Sequence, residues 1–139
     1  MLNAGQSLDA QQEPMQVEFP TETTVTMLAG GELGTAALMS DRSVYVMGMG
    51  RFFEPTKLPG AENLDGEIVD MQVGAYHIGL LTDTGKLYTF GTGTALALPK
   101  AARPQWELAE VTAHWGDELK GCKVVSMSCG PYATAMVIA

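Results

Sequence analysis

An internal repeat limits how this chain can fold more than any other feature. Val25–Gly50 (VTMLAGGELGTAALMSDRSVYVMGMG) and Ile68–Gly93 (IVDMQVGAYHIGLLTDTGKLYTFGTG) align without a gap at an offset of 43 residues. The alignment matches Gly31 with Gly74, Leu38 with Leu81, Tyr45 with Tyr88, Gly48 with Gly91 and Gly50 with Gly93. Val124–Ala139 (VVSMSCGPYATAMVIA) continues the series at a further offset of 56, matching Met71 with Met127, Gly74 with Gly130 and Tyr76 with Tyr132. A glycine that recurs in this way marks backbone that needs a positive φ or lets another segment come close.

Each unit reads as β-structure. A short apolar run ends at a glycine, a second run leads into a turn, and a third run ends in Gly-x-Gly. Runs this short, flanked by glycine, favour strands over helices. Strands are expected near 25–29, 35–39, 43–47, 68–73, 78–82, 86–90, 124–128 and 133–138. Asp83-Thr84-Gly85 is a glycine-containing hairpin turn, whereas Ser40-Asp41-Arg42-Ser43 offers polar turn formers without a glycine. Trp106–Val111 reads as an outer strand or one short helix. Units of about 40–55 residues with three or four short strands have the length of propeller blades.

The residues then resemble a known repeat. Ile68-Val69-x-Met71-x-Val73-Gly74-Ala75-Tyr76-His77, followed by Leu81, Gly85, Leu87-Tyr88 and Phe90-Gly91, is similar to the repeat of the regulator of chromosome condensation family. Cys129-Gly130 stands at that family's cysteine–glycine step, and Asn3-Ala4-Gly5-Gln6-Ser7-Leu8 resembles the loop that ends a repeat. Pro14–Val17 is then an outer strand before Val25. The pattern is divergent: Gly34 and Ala133 replace the histidine, Met47 and Phe90 replace the tryptophan, and the loop after Gly50 and after Gly93 is lost. The resemblance implies an all-β, partial β-propeller of about two full blades plus fragments. It divides the chain into an extended or partly ordered segment with the end of a repeat (1–24), repeat 1 (25–67), repeat 2 (68–123) and the start of repeat 3 (124–139). It also makes Gly31, Gly74, Gly130, His77, Tyr45, Tyr88, Gly48 and Gly91 structural repeat positions.

Composition excludes several functions. The chain has 139 residues and a net charge of −8, with only eight scattered lysines and arginines. Phosphate-backbone binding needs a clustered positive surface, so neither nucleic acid nor an anionic membrane is an expected partner. Cys122 and Cys129 do not form a CxxC motif, and the only histidines, His77 and His114, lack ligand spacing to them. Two buried thiols in a reducing, intracellular compartment are expected. A nucleophilic Cys129 needs a base and a thiolate-promoting setting, which its blade position does not provide. Gly48-Met49-Gly50 and Gly91-Thr92-Gly93 precede no helix and so cannot cradle a phosphate. No cofactor, metal or catalytic residue is expected.

A protein partner, or further propeller blades, is expected instead. Arg51-Phe52-Phe53, in a loop after a blade strand, and Trp115 are the candidate partner-binding residues, because an arginine among aromatics is a common interface anchor. Thr134–Ala139 reads as an apolar inner strand with an open edge, and such an edge invites strand pairing. Met1–Thr24 folding back over that edge is the alternative. A non-catalytic interaction or scaffold module is the expected function. The resemblance also implies guanine-nucleotide exchange on a small GTPase, or enzyme inhibition, as alternatives.

Overall fold

The structure, a computed structural model, describes residues 14–139. Strands β1 (Val25–Gly30), β2 (Gly34–Met39), β3 (Val44–Gly48) and β4 (Phe52–Lys57) form one antiparallel sheet in that order, blade 1. Strands β5 (Ile68–Val73), β6 (His77–Thr82), β7 (Leu87–Gly91) and β8 (Ala109–Glu110) form blade 2 in the same way. Strands β9 (Val124–Gly130) and β10 (Ala133–Ile138) pair as blade 3. The connectors carry short 3-10 turns, and no α-helix occurs among the described residues. The fold is all-β, and each of the eight strands expected from residue 25 onward is present.

The repeat is visible bond by bond. Gly31 N–H donates to Gly34 O at 2.8 Å, and Gly74 N–H to His77 O at 2.8 Å. At the other end of the hairpin, Arg42 N–H donates to Met39 O and Gly85 N–H to Thr82 O, each at 3.0 Å. The two turns are therefore the same, with Arg42 at φ 73° where blade 2 has Gly85 at φ 84°. A left-handed arginine costs about 1–2 kcal/mol. Asp41 helps hold it by accepting from Ser43 N–H at 3.0 Å, and the Arg42 guanidinium donates to Gly66 O at 2.7 Å. Even the first-strand irregularity recurs: the pairing register shifts between Val25 and Met27, between Ile68 and Asp70, and opposite the Val137/Ile138 step in blade 3.

Some readings of the sequence are corrected. Phe52 and Phe53 begin β4 rather than lying in a loop; Glu54 and Pro55 look like loop residues, but β4 is a sheet edge, where proline is tolerated. Pro14–Val17 is irregular rather than an outer strand. Thr134–Ala139 is not the innermost segment, because β1, β5 and β9 are the strands that approach one another across blades. Cys122 and Cys129 are free thiols, half-buried rather than buried. The Asn3–Leu8 loop and the rest of residues 1–13 lie outside the described residues. Residues 19–24 run beside blade 1, with Phe19 edge-on to Tyr45 at 5.7 Å and Ser40 N–H donating to Thr24 O.

The blades stack through two layers of contact. Side chains supply the first. Ala36, Val44, Val46, Met49 and Leu58 of blade 1 and its connector meet Met71, Val73, Ile78, Leu80, Tyr88 and Phe90 of blade 2. On its other face, blade 2 presents Leu81 and Leu87 to Val124 and Met127 of blade 3. Blade 2 is thus covered on both sides, so β6 and β7 are buried along their whole length.

Backbone supplies the second layer. A Cβ on Gly31 would lie 2.7 Å from Gly74 O, and a Cβ on Gly74 would lie 2.6 Å from Gly130 O and collide with the His77 ring. Ala75 N–H donates across the interface to Pro131 O at 2.9 Å. A Cβ on Gly130 meets nothing within 4 Å, because no further blade stands against it among the described residues. Leu28 shows the same end effect: it is 65% exposed, whereas its equivalents Met71 and Met127, each packed on a preceding blade, are 3% and 6% exposed.

His77 fills the space beside Gly74 and is 1% exposed. Neither ring nitrogen has a partner at hydrogen-bond geometry. Burial pushes its pKa below the ordinary value, with the Ala133 backbone opposing in part. In blade 1 the equivalent Gly34 leaves this space to Met49, whose Cγ lies 2.7 Å from where a Gly34 Cβ would be.

Two outcomes follow for stability. Gly74→Ala should lower the unfolding free energy by about 1–3 kcal/mol through overpacking, while Gly130→Ala should stay within about 0.5 kcal/mol of the parent chain; denaturant melts compare them. A folded His77 that resists protonation makes stability fall as pH drops below about 6.5, where the unfolded chain begins to take up the proton, until the depressed folded pKa is passed. Melting temperatures of the parent and of His77→Gln, measured between pH 8 and 5, should diverge over that window. Parallel curves would contradict the burial argument.

Candidate functional site

Antiparallel pairing sorts the connections onto two ends. The tips between first and second strands (residues 31–33, 74–76 and 131–132) share one end, here the upper end, with the turn 49–51. The hairpin turns 40–43 and 83–86 lie at the lower end. Met49 N–H donates to Leu33 O at 2.6 Å and Thr92 N–H to Tyr76 O at 3.1 Å, tying each tip to the end of its third strand. Gly48 at φ 84° and Gly91 at φ 132° allow this, because a Cβ on either would run into the facing carbonyl of Leu33 or Tyr76.

That turn delivers Arg51 and Phe52. The Arg51 guanidinium sits over Trp106 at 5.2 Å and over Phe52 at 5.8 Å from the ring centroids, a cation–π arrangement. Phe52 packs on Trp106 at 5.5 Å and Phe90 at 6.0 Å, and Phe90 meets Trp106 edge-on at 5.8 Å. Phe52 is therefore half-buried between the blades, while Phe53, the next residue on an extended strand, points the other way and is exposed. Arg51 takes part in no ion pair among the described residues.

Trp115 is not part of this cluster. It follows the 3-10 turn Thr112–His114, packs on the blade 2–blade 3 core, and lines a lower-end cleft of about 530 Å³ with Lys86, Glu110, Lys120 and Lys123. Charge at the lower end is largely self-paired: Arg42 meets Glu67 at 3.3 Å, and Lys86 meets Asp65 at 2.8 Å and Glu110 at 3.8 Å. The Asp65 carboxylate holds the Lys86 pKa above its ordinary value, and Ser43 hydrogen bonds hold that of Asp41 down.

Trp106 is the residue that sequence reasoning missed as a site member. Its N–H donates to Gly91 O at 2.7 Å and its φ is 58°, a conformation that strand or helix periodicity does not reveal. The one available signal was a tryptophan returning after a connector beside an Arg-Phe-Phe turn.

The chemistry-bearing side chains do not converge. Burial pushes the Cys129 thiol pKa up, and its Sγ lies 3.7 Å from Thr134 Oγ1. His114 is exposed on its 3-10 turn. Among the described residues no three His, Cys, Asp or Glu side chains gather as metal ligands, and no helix is long and apolar enough to cross a membrane.

Comparison with known proteins places this architecture. No family model matches the chain. The human X-linked retinitis pigmentosa GTPase regulator is 31% identical over a 98-residue alignment that takes in 63% of this chain and 9% of that protein. Yeast RCC1 (Prp20), solved bound to Kap60, superposes with a TM-score of 0.71 at 16% identity, covering 96% of this chain and 34% of that one. Human WBSCR16 gives 0.66 at 21% identity, covering 88% and 33%. A second structure of Prp20p from Saccharomyces cerevisiae, described with its binding to Gsp1p and histones, gives 0.67 at 17%, covering 94% and 35%. The chain thus spans about a tenth of the curated relative and about a third of each solved chain. These likenesses to solved structures show the fold, a stack of propeller blades, and the glycine-marked blades of this chain are similar to repeats of the regulator of chromosome condensation type, in divergent form.

Proposed function

We propose that the chain is a non-catalytic protein–protein interaction module of propeller type, working as part of a larger assembly or a longer chain in an intracellular compartment. The observation that carries this reading is the exposed Arg51 guanidinium held over Phe52 and Trp106, an anchor in no ion pair among the described residues; blade 3 adds a strand edge. Among the described residues β10 pairs with β9 alone, whereas its counterparts β2 and β6 each pair with a third strand. Val137, on its uncovered face, is exposed, whereas its equivalent Leu81 is buried under the next blade. An unpaired apolar strand is a template for strand addition. A partner strand or another blade seated on that edge is the contact this reading predicts, as between neighbours in stacked repeats. Arg51, Phe53 and Trp115 are exposed or half-exposed anchors on the same scaffold, and Phe52 supports Arg51 from below. No cofactor, nucleic acid or membrane enters this reading.

Guanine-nucleotide exchange on a small GTPase is the second reading, favoured by the GTPase-regulator name of the curated relative. Its test is nucleotide release from purified small GTPases: acceleration by the chain favours exchange. The first reading is tested by sedimentation of the purified chain at micromolar concentration. A species heavier than 14.8 kDa is expected. A compact, stable monomer would overturn the open-edge argument.

A further inference from the structure

We propose that the upper end of the stack is a docking face for a protein segment that carries a carboxylate among apolar side chains. This rests on the interaction-module reading and goes further by assigning the face and the chemistry of the partner. Leu33, Tyr76 and Tyr132 occupy the same position in three successive blades, each at the tip between first and second strand. They are 44%, 40% and 71% exposed. Core packing does not account for large apolar groups at three equivalent, solvent-facing tips. The glycine contacts set those tips side by side, because Gly31 lies against the Gly74 carbonyl and Gly74 against the Gly130 carbonyl.

The two ends also differ in charge. The three upper tips contain one ionisable acid, Glu32, and the uncharged Pro131 and Ala75. The lower turns and the connector between blades 1 and 2 contain Asp41, Arg42, Asp65, Glu67, Asp83 and Lys86, several of them paired to each other. Interface centres are depleted in charge and enriched in Tyr, Trp, Phe and Arg, which is the composition of the upper end and not of the lower.

Arg51 specifies the partner's sign. Its guanidinium is held over Phe52 and Trp106 beside the Leu33 tip and takes part in no ion pair among the described residues, although the chain as a whole is acidic. The connector 92–108, which leaves from and returns to this end, adds two cations, Lys100 and Arg103, and one acid, Glu107. A pre-positioned guanidinium recognises a carboxylate through paired N–H donors, and the tyrosine row beside it receives apolar side chains.

The test is selection of a random dodecapeptide phage library on the full chain, followed by binding of synthetic selected peptides. Selected peptides should carry Asp or Glu flanked by apolar residues. Their affinity should fall at least tenfold in Tyr76→Ser/Tyr132→Ser and, independently, in Arg51→Gln, but not in Lys120→Ser at the lower end. Because the substituted tyrosines are exposed, unchanged melting temperatures check that the variants fold. Peptides that bind but respond to Lys120→Ser and not to the upper-end variants would overturn this face while leaving the interaction module standing. Peptides enriched in Lys or Arg would overturn the partner chemistry, and a library that yields no binder would overturn both this proposal and the module reading.

Discussion

Adjacent blades touch through backbone at their upper ends, and that contact constrains the rest of the stack. Where Gly31 meets the Gly74 carbonyl and Gly74 meets the Gly130 carbonyl, there is no room for a Cβ. Side-chain packing alone tolerates substitution of one apolar group for another of similar volume; a backbone approach does not. The register of one hairpin against the next is therefore fixed at the glycine, and the apolar groups below it fall into place. Met71 settles into the blade 1–blade 2 core with Ala36, and Met127 comes against Gly79, where a Cβ would lie 2.9 Å from its sulfur. A large residue on one blade meets a small one on the other at equivalent positions.

The same constraint explains which parts of the architecture were legible in sequence. Short apolar runs flanked by glycine, glycines at strand ends and the tyrosines at matching offsets all reflect local backbone demands, and all appear in the structure. The elements that escaped depend on tertiary context. β4 exists because β3 offers an edge, not because Phe52–Lys57 resembles a strand. Arg42 adopts a glycine-like φ because Asp41 and the Gly66 carbonyl hold the turn. Met49 replaces a histidine ring only because Gly34 vacates the space. The candidate site was half legible: Arg51 and Phe53 were named from composition, whereas Trp106 and the tip row emerged only once the blades were aligned in space.

Function in such a scaffold is carried by its ends and edges. The interior of blade 2 is sealed on both faces, and its buried histidine and the half-buried Cys129 thiol are held in their neutral forms by burial. The chemistry left at the surface differs from place to place: self-paired charge at the lower end, apolar and aromatic tips with a single acid, Glu32, at the upper end, and, among the described residues, a strand of blade 3 paired on one side only.

Hydrogen exchange at the Ala75 amide tests the stacking account most directly. Ala75 lies in a tip between strands, and its partner, the Pro131 carbonyl, belongs to the next blade at 2.9 Å. Protection of a tip amide therefore reports the blade–blade contact and not the hairpin. The account predicts exchange as slow as that of the β6 amides, with loss of that protection in Gly74→Ala. Exchange of Ala75 at the rate of an unbonded loop amide in the parent chain would contradict it.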